Sequence, residues 1–201
     1  MVELRSVDVS GIHRAFLAAF ADYAMGSPEG LPEERLLLRM RKNAVDYEAS
    51  VGAYEDGRMV GFTLIGLDTW GGHPAAYDAG TGIVPAHRGQ GLARRMLDHA
   101  LPALGERGVE EFVLEVLQDN APAIRAYRKA GFETTRALRS FVAAERVIPS
   151  QASSRWSLRP IRLEEFERMA EEMDWLPSFE NRVSAVRAIL SDVSLVGAFE
   201  K

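Results

Sequence analysis

Two hydrophobic rhythms alternate along the chain. Residues 4–7 alternate apolar and polar positions, as a short strand does. Ile12, Phe16, Leu17 and Phe20 then recur at helical spacing, with Ser10 as the candidate cap. A Gly/Ser/Pro-rich loop covers 26–30, and Pro32 opens a second helix through Leu36, Leu37, Met40 and Ala44. Strand character returns at 50–54 and 59–67, on either side of the hairpin signal Asp56-Gly57. Trp70-Gly71-Gly72-His73-Pro74 marks a second turn, and 76–84 a further strand. Leu92, Met96, Leu97, Ala100, Leu101 and Leu104 predict a helix over 92–105, which Pro102 is expected to kink or shorten. A strand over 111–117, a helix over 121–130 and a strand over 134–143 complete the pattern of an α/β (α+β) chain.

One junction carries chemistry. Residues 83–93 read Ile-Val-Pro-Ala-His-Arg-Gly-Gln-Gly-Leu-Ala: a strand end, a glycine turn and a helix start. The first N–H groups of a helix lack intrahelical partners, and the helix dipole adds positive potential there. Gly89 and Gly91 let the backbone curl close to a phosphate, and Arg88, Arg94 and Arg95 add fixed charge. The turn lacks the Gly-Lys-Ser/Thr of a Walker loop, and Arg94 stands where a dinucleotide-binding turn has its third glycine.

The run Arg88-Gly89-Gln90-Gly91-Leu92-Ala93 resembles the Arg/Gln-x-x-Gly-x-Gly/Ala signature of the GCN5-related N-acetyltransferase (GNAT) superfamily. A second segment strengthens the likeness. Leu114-Glu115-Val116, Asn120, Ala123-Ile124, Tyr127 and Gly131-Phe132 are similar to that family's strand–helix pattern at full spacing, one helix and one strand downstream. The resemblance covers roughly residues 1–145. It implies a central mixed, mostly antiparallel sheet with splayed strands and flanking helices, and acetyl-CoA as cosubstrate.

The resemblance also implies roles. The loop Arg88, Gly89, Gln90, Gly91, Leu92, Ala93 and Arg94 would hold the pyrophosphate. Backbone N–H groups near Ile83 and Val84 would face the thioester carbonyl. Asn120 and Ala123 would meet the pantetheine arm, although Asn120 also reads as a plain helix cap. Tyr127 would protonate the departing sulfur, or serve as core packing. A phenol of ordinary pKa about 10 can donate to an alkyl thiolate of about 8.5. Glu115 is a carboxylate in an apolar strand; it would accept the amine proton, directly or through water, or hold the splay by hydrogen bonds. Asp22, Tyr23, Tyr77 and Asp78, with Trp70 and His73, fall on segments that border the acceptor cleft in this family. The implied activity is direct acetyl transfer to a primary amine, of a small molecule by preference. A protein N-terminus or lysine is the alternative acceptor, and a non-catalytic acyl-CoA-binding module the alternative function.

Composition narrows the field. The chain has 201 residues, with 47% apolar and 26% charged, enough to bury a core. Its 24 Lys and Arg against 29 Asp and Glu leave a net charge of −5, which argues against nucleic acid as partner and favours a cationic acceptor. Without cysteine there is neither a disulfide nor a thiolate nucleophile, and the four histidines show no metal spacing, so no metal is expected. No apolar run reaches membrane-spanning length and no signal peptide opens the chain, so the cytoplasm is the expected location.

The last fifty residues echo the first. Leu158-Arg159-Pro160-Ile161 repeats Leu4-Arg5-Ser6-Val7, Leu176-Pro177 repeats Leu31-Pro32, and Val196-Gly197-Ala198-Phe199-Glu200 repeats Val51-Gly52-Ala53-Tyr54-Glu55. Phe166, Met169, Ala170 and Met173 predict one helix, and Val183, Val186 and Leu190 another. This resembles tandem GNAT proteins. It implies a domain over 1–149, a linker over 150–157 and a partial second copy over 158–201. That copy stops before its own glycine turn, as a longer tandem protein cut short or a homodimer element would. It is expected to pack on the first domain or on another chain, with 194–199 seeking a sheet edge.

Overall fold

Two tight turns organise the central sheet. The computed structural model describes residues 1–22, 31–139 and 155–200. Strands β2 (Val45–Glu55) and β3 (Arg58–Trp70) join through Asp56-Gly57, at φ 49° and 76°. Strand β4 (His73–Ile83) follows through Gly71-Gly72, at φ 61° and 88°. Left-handed residues at both positions match the right-handed twist of the flanking strands. With β1 (Glu3–Ser6) and β5 (Glu111–Val113) the sheet order is β1-β2-β3-β4-β5, antiparallel except for the parallel β4–β5 pair.

Helices cover both faces. On one, α1 (Val9–Phe20) and α2 (Glu33–Lys42) bury Ile12, Phe16, Leu36 and Met40 with Phe62 and Leu64 of β3. On the other, α3 (Leu92–Glu106) buries Leu92, Met96, Ala100 and Leu104 against Val51, Ile65 and Ala76. The cap of α1 is Asp8, whose carboxylate accepts from Ser10 N–H at 3.0 Å, so Ser10 is not the cap. Pro102 does not shorten α3. The N–H it lacks would have bonded the carbonyl of exposed Asp98, where water is within reach.

The strands exceed the expected runs at 45–49, 68–70 and 73–75, where polar residues such as Asp46, Asp68 and His73 interrupt the apolar pattern of the sheet. Ser50, Thr63 and Asp78 are buried, and each finds hydrogen bonds there. Strand β5 is shorter than expected: pairing stops at Tyr77–Val113, after which β4 and the chain beyond β5 part. Glu115 therefore lies past the strand, where solvent reaches it, and is not a charge enclosed in a sheet. Helix α4 (Ala121–Lys129) follows, capped by Asn120. It ends with Phe132 N–H bonded to Tyr127 C=O and Gly131 N–H to Arg128 C=O, the paired bonds of a Schellman ending. Residues 134–139 form no strand, and the rest of the strand expected over 134–143 lies outside the described residues, as do the loop 26–30 and residues 150–154 of the expected linker.

The C-terminal segment contains β6 (Trp156–Pro160), α5 (Leu163–Glu171), a 3-10 turn (Phe179–Asn181), α6 (Val183–Ala188), a second 3-10 turn (Leu190–Asp192) and β7 (Val196–Glu200). Strand β7 pairs with β6 in a separate two-stranded sheet, not with an edge of the larger one. The segment packs on α1, α2 and the central sheet. Phe179 is buried in the core shared with α1 and α2, and Arg41 of α2 meets Asp192 at 2.6 Å. The face of α6 that turns inward carries Ala185, with Arg182 and Ile189 buried on either side of the helix; Leu190 is exposed.

Candidate functional site: the strand splay and glycine turn

The site grows from the point where β4 and β5 part. Leu64 pairs with Gly80 but Ile65 with Asp78, so Ala79 is an extra residue in β4. This bulge re-aims the strand just beyond the last pair, Tyr77–Val113. Val84 N–H is bonded to Val60 C=O at 3.0 Å and is not open to a ligand. Antiparallel ladders alternate, so the Ile83 N–H faces the other side, toward the splay.

Asp78 and Tyr127 meet across the gap. The Tyr127 hydroxyl donates to Asp78 Oδ2 at 2.8 Å. The same carboxyl accepts from Thr81 Oγ1 at 2.7 Å and Gly80 N–H at 3.0 Å. Burial raises the Asp78 pKa above the ordinary 3.8, against the lowering effect of the Thr81, Tyr127 and Gly80 hydrogen bonds. Phe132 packs edge-on against both Tyr127 and Phe112, fixing the ring. Asp78 is thus a buried partner of Tyr127 rather than a residue open to the acceptor cleft.

Glu115 stands at the mouth of the splay. Desolvation raises its pKa first, the charge of Glu180 raises it further, and a hydrogen bond from Ser178 opposes both. Tyr77 is enclosed: its hydroxyl donates to Glu180 Oε1 at 3.3 Å and its ring stacks on Phe179 at 4.6 Å. Burial, then the charge of Glu180, pushes its phenol well above the ordinary range. Ser178, Glu180 and Thr81 have no motif that marks them in the sequence. They reach the site only through tertiary contact.

The glycine turn follows β4. Gly89 and Gly91 adopt φ 74° and 73°, and a Cβ on either would meet open space. Gly91 precedes the first turn of α3, which has neither a side-chain cap nor an acidic residue. The N–H groups of Leu92, Ala93 and Arg94 therefore start the helix without intrahelical partners. The arginines act as braces. Arg88 forks onto Asp22 at 2.6 and 2.7 Å and also donates to the carbonyls of Ala19 and Ile83. That fork lowers the Asp22 pKa, and an acceptor ammonium would have to displace Arg88 to reach Asp22. Arg94 holds Asp98 and the carbonyl of Lys129, and Gln90 bonds the carbonyl of Ala86. Asn120 Oδ1 accepts from Ala123 N–H at 3.2 Å, so both residues serve the helix start. Tyr23 lies outside the described residues. Among the described residues no cluster of three His, Asp or Glu is arranged to hold a metal, and no helix is long and apolar enough to cross a membrane.

A bulged strand that parts from a parallel neighbour, a glycine turn at its end and a tyrosine helix beyond define one class. The chain matches the Acetyltransferase (GNAT) family over residues 14–132 and belongs to it. It is 40% identical over 83 residues to streptothricin acetyltransferase of Streptomyces lavendulae, covering 41% of this chain and 42% of that protein. It is 39% identical over 84 residues to mycothiol acetyltransferase of Saccharomonospora viridis, covering 39% of this chain and 28% of that protein. The matches thus span less than half the length of either relative. The fold is that of aminoglycoside N-acetyltransferase AAC(6')-Iy in complex with CoA, with a TM-score of 0.54, 16% identity, and coverage of 72% of this chain and 95% of that one.

Proposed function

We propose that the chain is an acetyl-CoA-dependent N-acetyltransferase that transfers acetyl directly to a primary amine, preferably of a small molecule. The observation that carries this reading is the convergence of three features on one splay: the Ile83 N–H, the Asp78–Tyr127 pair and Glu115. The open glycine turn at the end of the same strand suits a diphosphate, which the N–H groups from Gly89 through Arg94 would bind while Arg88 and Arg94 brace the loop.

Each residue then has one task. The Ile83 N–H polarises the acyl carbonyl. Glu115 takes a proton from the incoming ammonium, directly or through water, and the neutral nitrogen attacks. As the C–N bond forms and the C–S bond breaks, Tyr127 gives its proton to the sulfur, and the surplus proton on the new amide nitrogen passes through water to restore the Tyr127 phenol. Asp78 holds the Tyr127 hydroxyl at the gap. The preference for a small-molecule amine draws on the relatives' names, streptothricin and aminoglycoside acetyltransferases among them. A cytoplasmic setting, where acetyl-CoA is available, suits the reading. Residues 158–201 read as a partial second copy, because β6–β7 repeats the pairing register of β1–β2.

The experiment is release of free CoA thiol from acetyl-CoA across a panel of small amines, N-terminal peptides and lysine peptides. Turnover with a small amine supports the reading. Turnover with peptides alone moves the acceptor to proteins. Acetyl-CoA binding without thiol release from any amine would leave the non-catalytic module as the function.

A further inference from the structure

The C-terminal segment does more than cover an apolar face. We infer that it builds the acceptor-side wall of the transfer site, with Ser178 and Glu180 acting as positioning residues for Glu115. The inference rests on the transfer reading above and extends it to residues Ser178 and Glu180, well beyond the family's motifs, which end at Phe132.

The segment is anchored where the wall is needed. Trp70 Nε1 donates to Pro177 C=O at 2.9 Å and Arg136 to Leu176 C=O at 2.6 Å. Arg182, 5% exposed, donates to Asp68 at 2.7 Å and to Phe179 C=O at 2.6 Å, and its guanidinium lies 3.8 Å from the Phe179 ring centre. Ser184 shares Asp68 at 2.7 Å. Phe179 is 2% exposed and stacks within 9° of parallel on Tyr77, the last paired residue of β4 before the splay. These contacts fix Ser178 and Glu180 beside the point where the sheet opens.

Both side chains then act on named groups. Ser178 Oγ accepts from Asn181 Nδ2 at 2.9 Å, which leaves its own hydrogen for Glu115. Glu180 Oε1 takes the Tyr77 hydroxyl at 3.3 Å and Asn43 Nδ2 at 3.4 Å, and Arg39 and Lys42 each lie 3.5 Å from its carboxylate. The charged groups acting on Glu115 come from three places: Glu180 on the segment, Arg136 after α4, and Lys42 at the end of α2. A hydroxyl donor stabilises the Glu115 carboxylate, while a neighbouring carboxylate disfavours it. The two residues therefore pull the base in opposite directions, and removing them should have opposite effects. A general base works best with its pKa near the working pH, so Glu180 improves Glu115 as a proton acceptor.

The test is the titration of Glu115 in the full chain. The carboxyl carbons of glutamate are labelled with ¹³C, and the E115Q variant assigns the resonance. E180Q should lower the Glu115 midpoint and S178A should raise it, each by about half a pH unit or more. The acid limb of kcat/KM should move in the same direction in each variant. Midpoints that stay in place, or move together, overturn the inference. If E180Q does not fold, S178A decides: a rise supports the wall, and no change overturns it. A wild type that turns over no amine removes the transfer reading alone, and the midpoints still decide whether the segment sets Glu115.

Discussion

Strands β1–β2 and β6–β7 are built alike and used differently. Leu4 faces Ala53 and Arg5 faces Gly52 in the first pair; Leu158 faces Ala198 and Arg159 faces Gly197 in the second. The Arg5 guanidinium lies 3.8 Å from the Tyr54 ring centre, and that of Arg159 lies 4.0 Å from the Phe199 ring centre. A Cβ on Gly52 would come within 2.5 Å of the Tyr54 ring, and one on Gly197 within 2.6 Å of the Phe199 ring. Burial separates the pairs. Strand β2 continues into β3 and is covered by α3, whereas Leu158 is 68% exposed and Val196 59%. Strand pairing is thus repeated where the extent of core is not. The proposed chemistry depends on the glycine turn and tyrosine helix that follow β4, and residues 158–200 hold no counterpart of Gly89-Gln90-Gly91.

The largest contrast lies in turnover. Tyr127→Phe should lower kcat by roughly 100-fold, and by at least tenfold, while acetyl-CoA affinity changes less than about threefold. Steady-state kinetics with calorimetric binding would check this. Wild-type turnover in the variant would remove the proton-donor role and with it the functional distinction between the regions.

A smaller effect concerns the matched glycines. Gly52→Val forces a side chain into the Tyr54 ring and should cost about 2 kcal/mol of global stability. Gly197→Val creates the same clash with Phe199 in a pair that carries far less core. Hydrogen exchange should then show faster opening confined to 156–200. Equal global destabilisation by both would mean the second pair belongs to the same cooperative unit as the first.

The smallest effect is in pH dependence. Burial raises the Asp78 pKa above 3.8, so the native state keeps a proton that the unfolded chain has released. The stability this contributes is fully present below 3.8 and is lost as pH rises through the folded value. Asp78→Asn cannot titrate. Its stability relative to wild type should therefore improve as pH rises from 4 toward neutrality, measured by denaturant unfolding (~4 being the start of carboxylate titration). A constant difference would place Asp78 in an unperturbed setting, without counterpart consequences for the second region.

Much of this was legible in the sequence, for particular reasons. Helix α3 was marked by its 3.6-residue period: five of its six predicted core residues are buried, Leu92, Met96, Leu97, Ala100 and Leu104. The glycine turn was legible because its geometry demands glycine. The lengths of β2 to β4 were not, because Asp46, Asp68 and His73 interrupt the apolar pattern near the strand ends while still pairing in the sheet. The end of β5 was hidden too, since a parting strand keeps the same apolar residues as a paired one. Arg88 read as a phosphate ligand from its place in the motif, but its fork is turned onto Asp22, 66 positions earlier. Ser178 and Glu180 carry no local signal at all.

Titration of the full chain with acetyl-CoA tests the division of labour most directly. The account predicts one site per chain. It further predicts that Gly91→Val weakens the site by roughly tenfold or more, because a β-branched residue at φ 73° strains the turn. Gly197→Val should leave binding unchanged. Two equivalent sites, or binding that survives Gly91→Val and disappears in Gly197→Val, would contradict it.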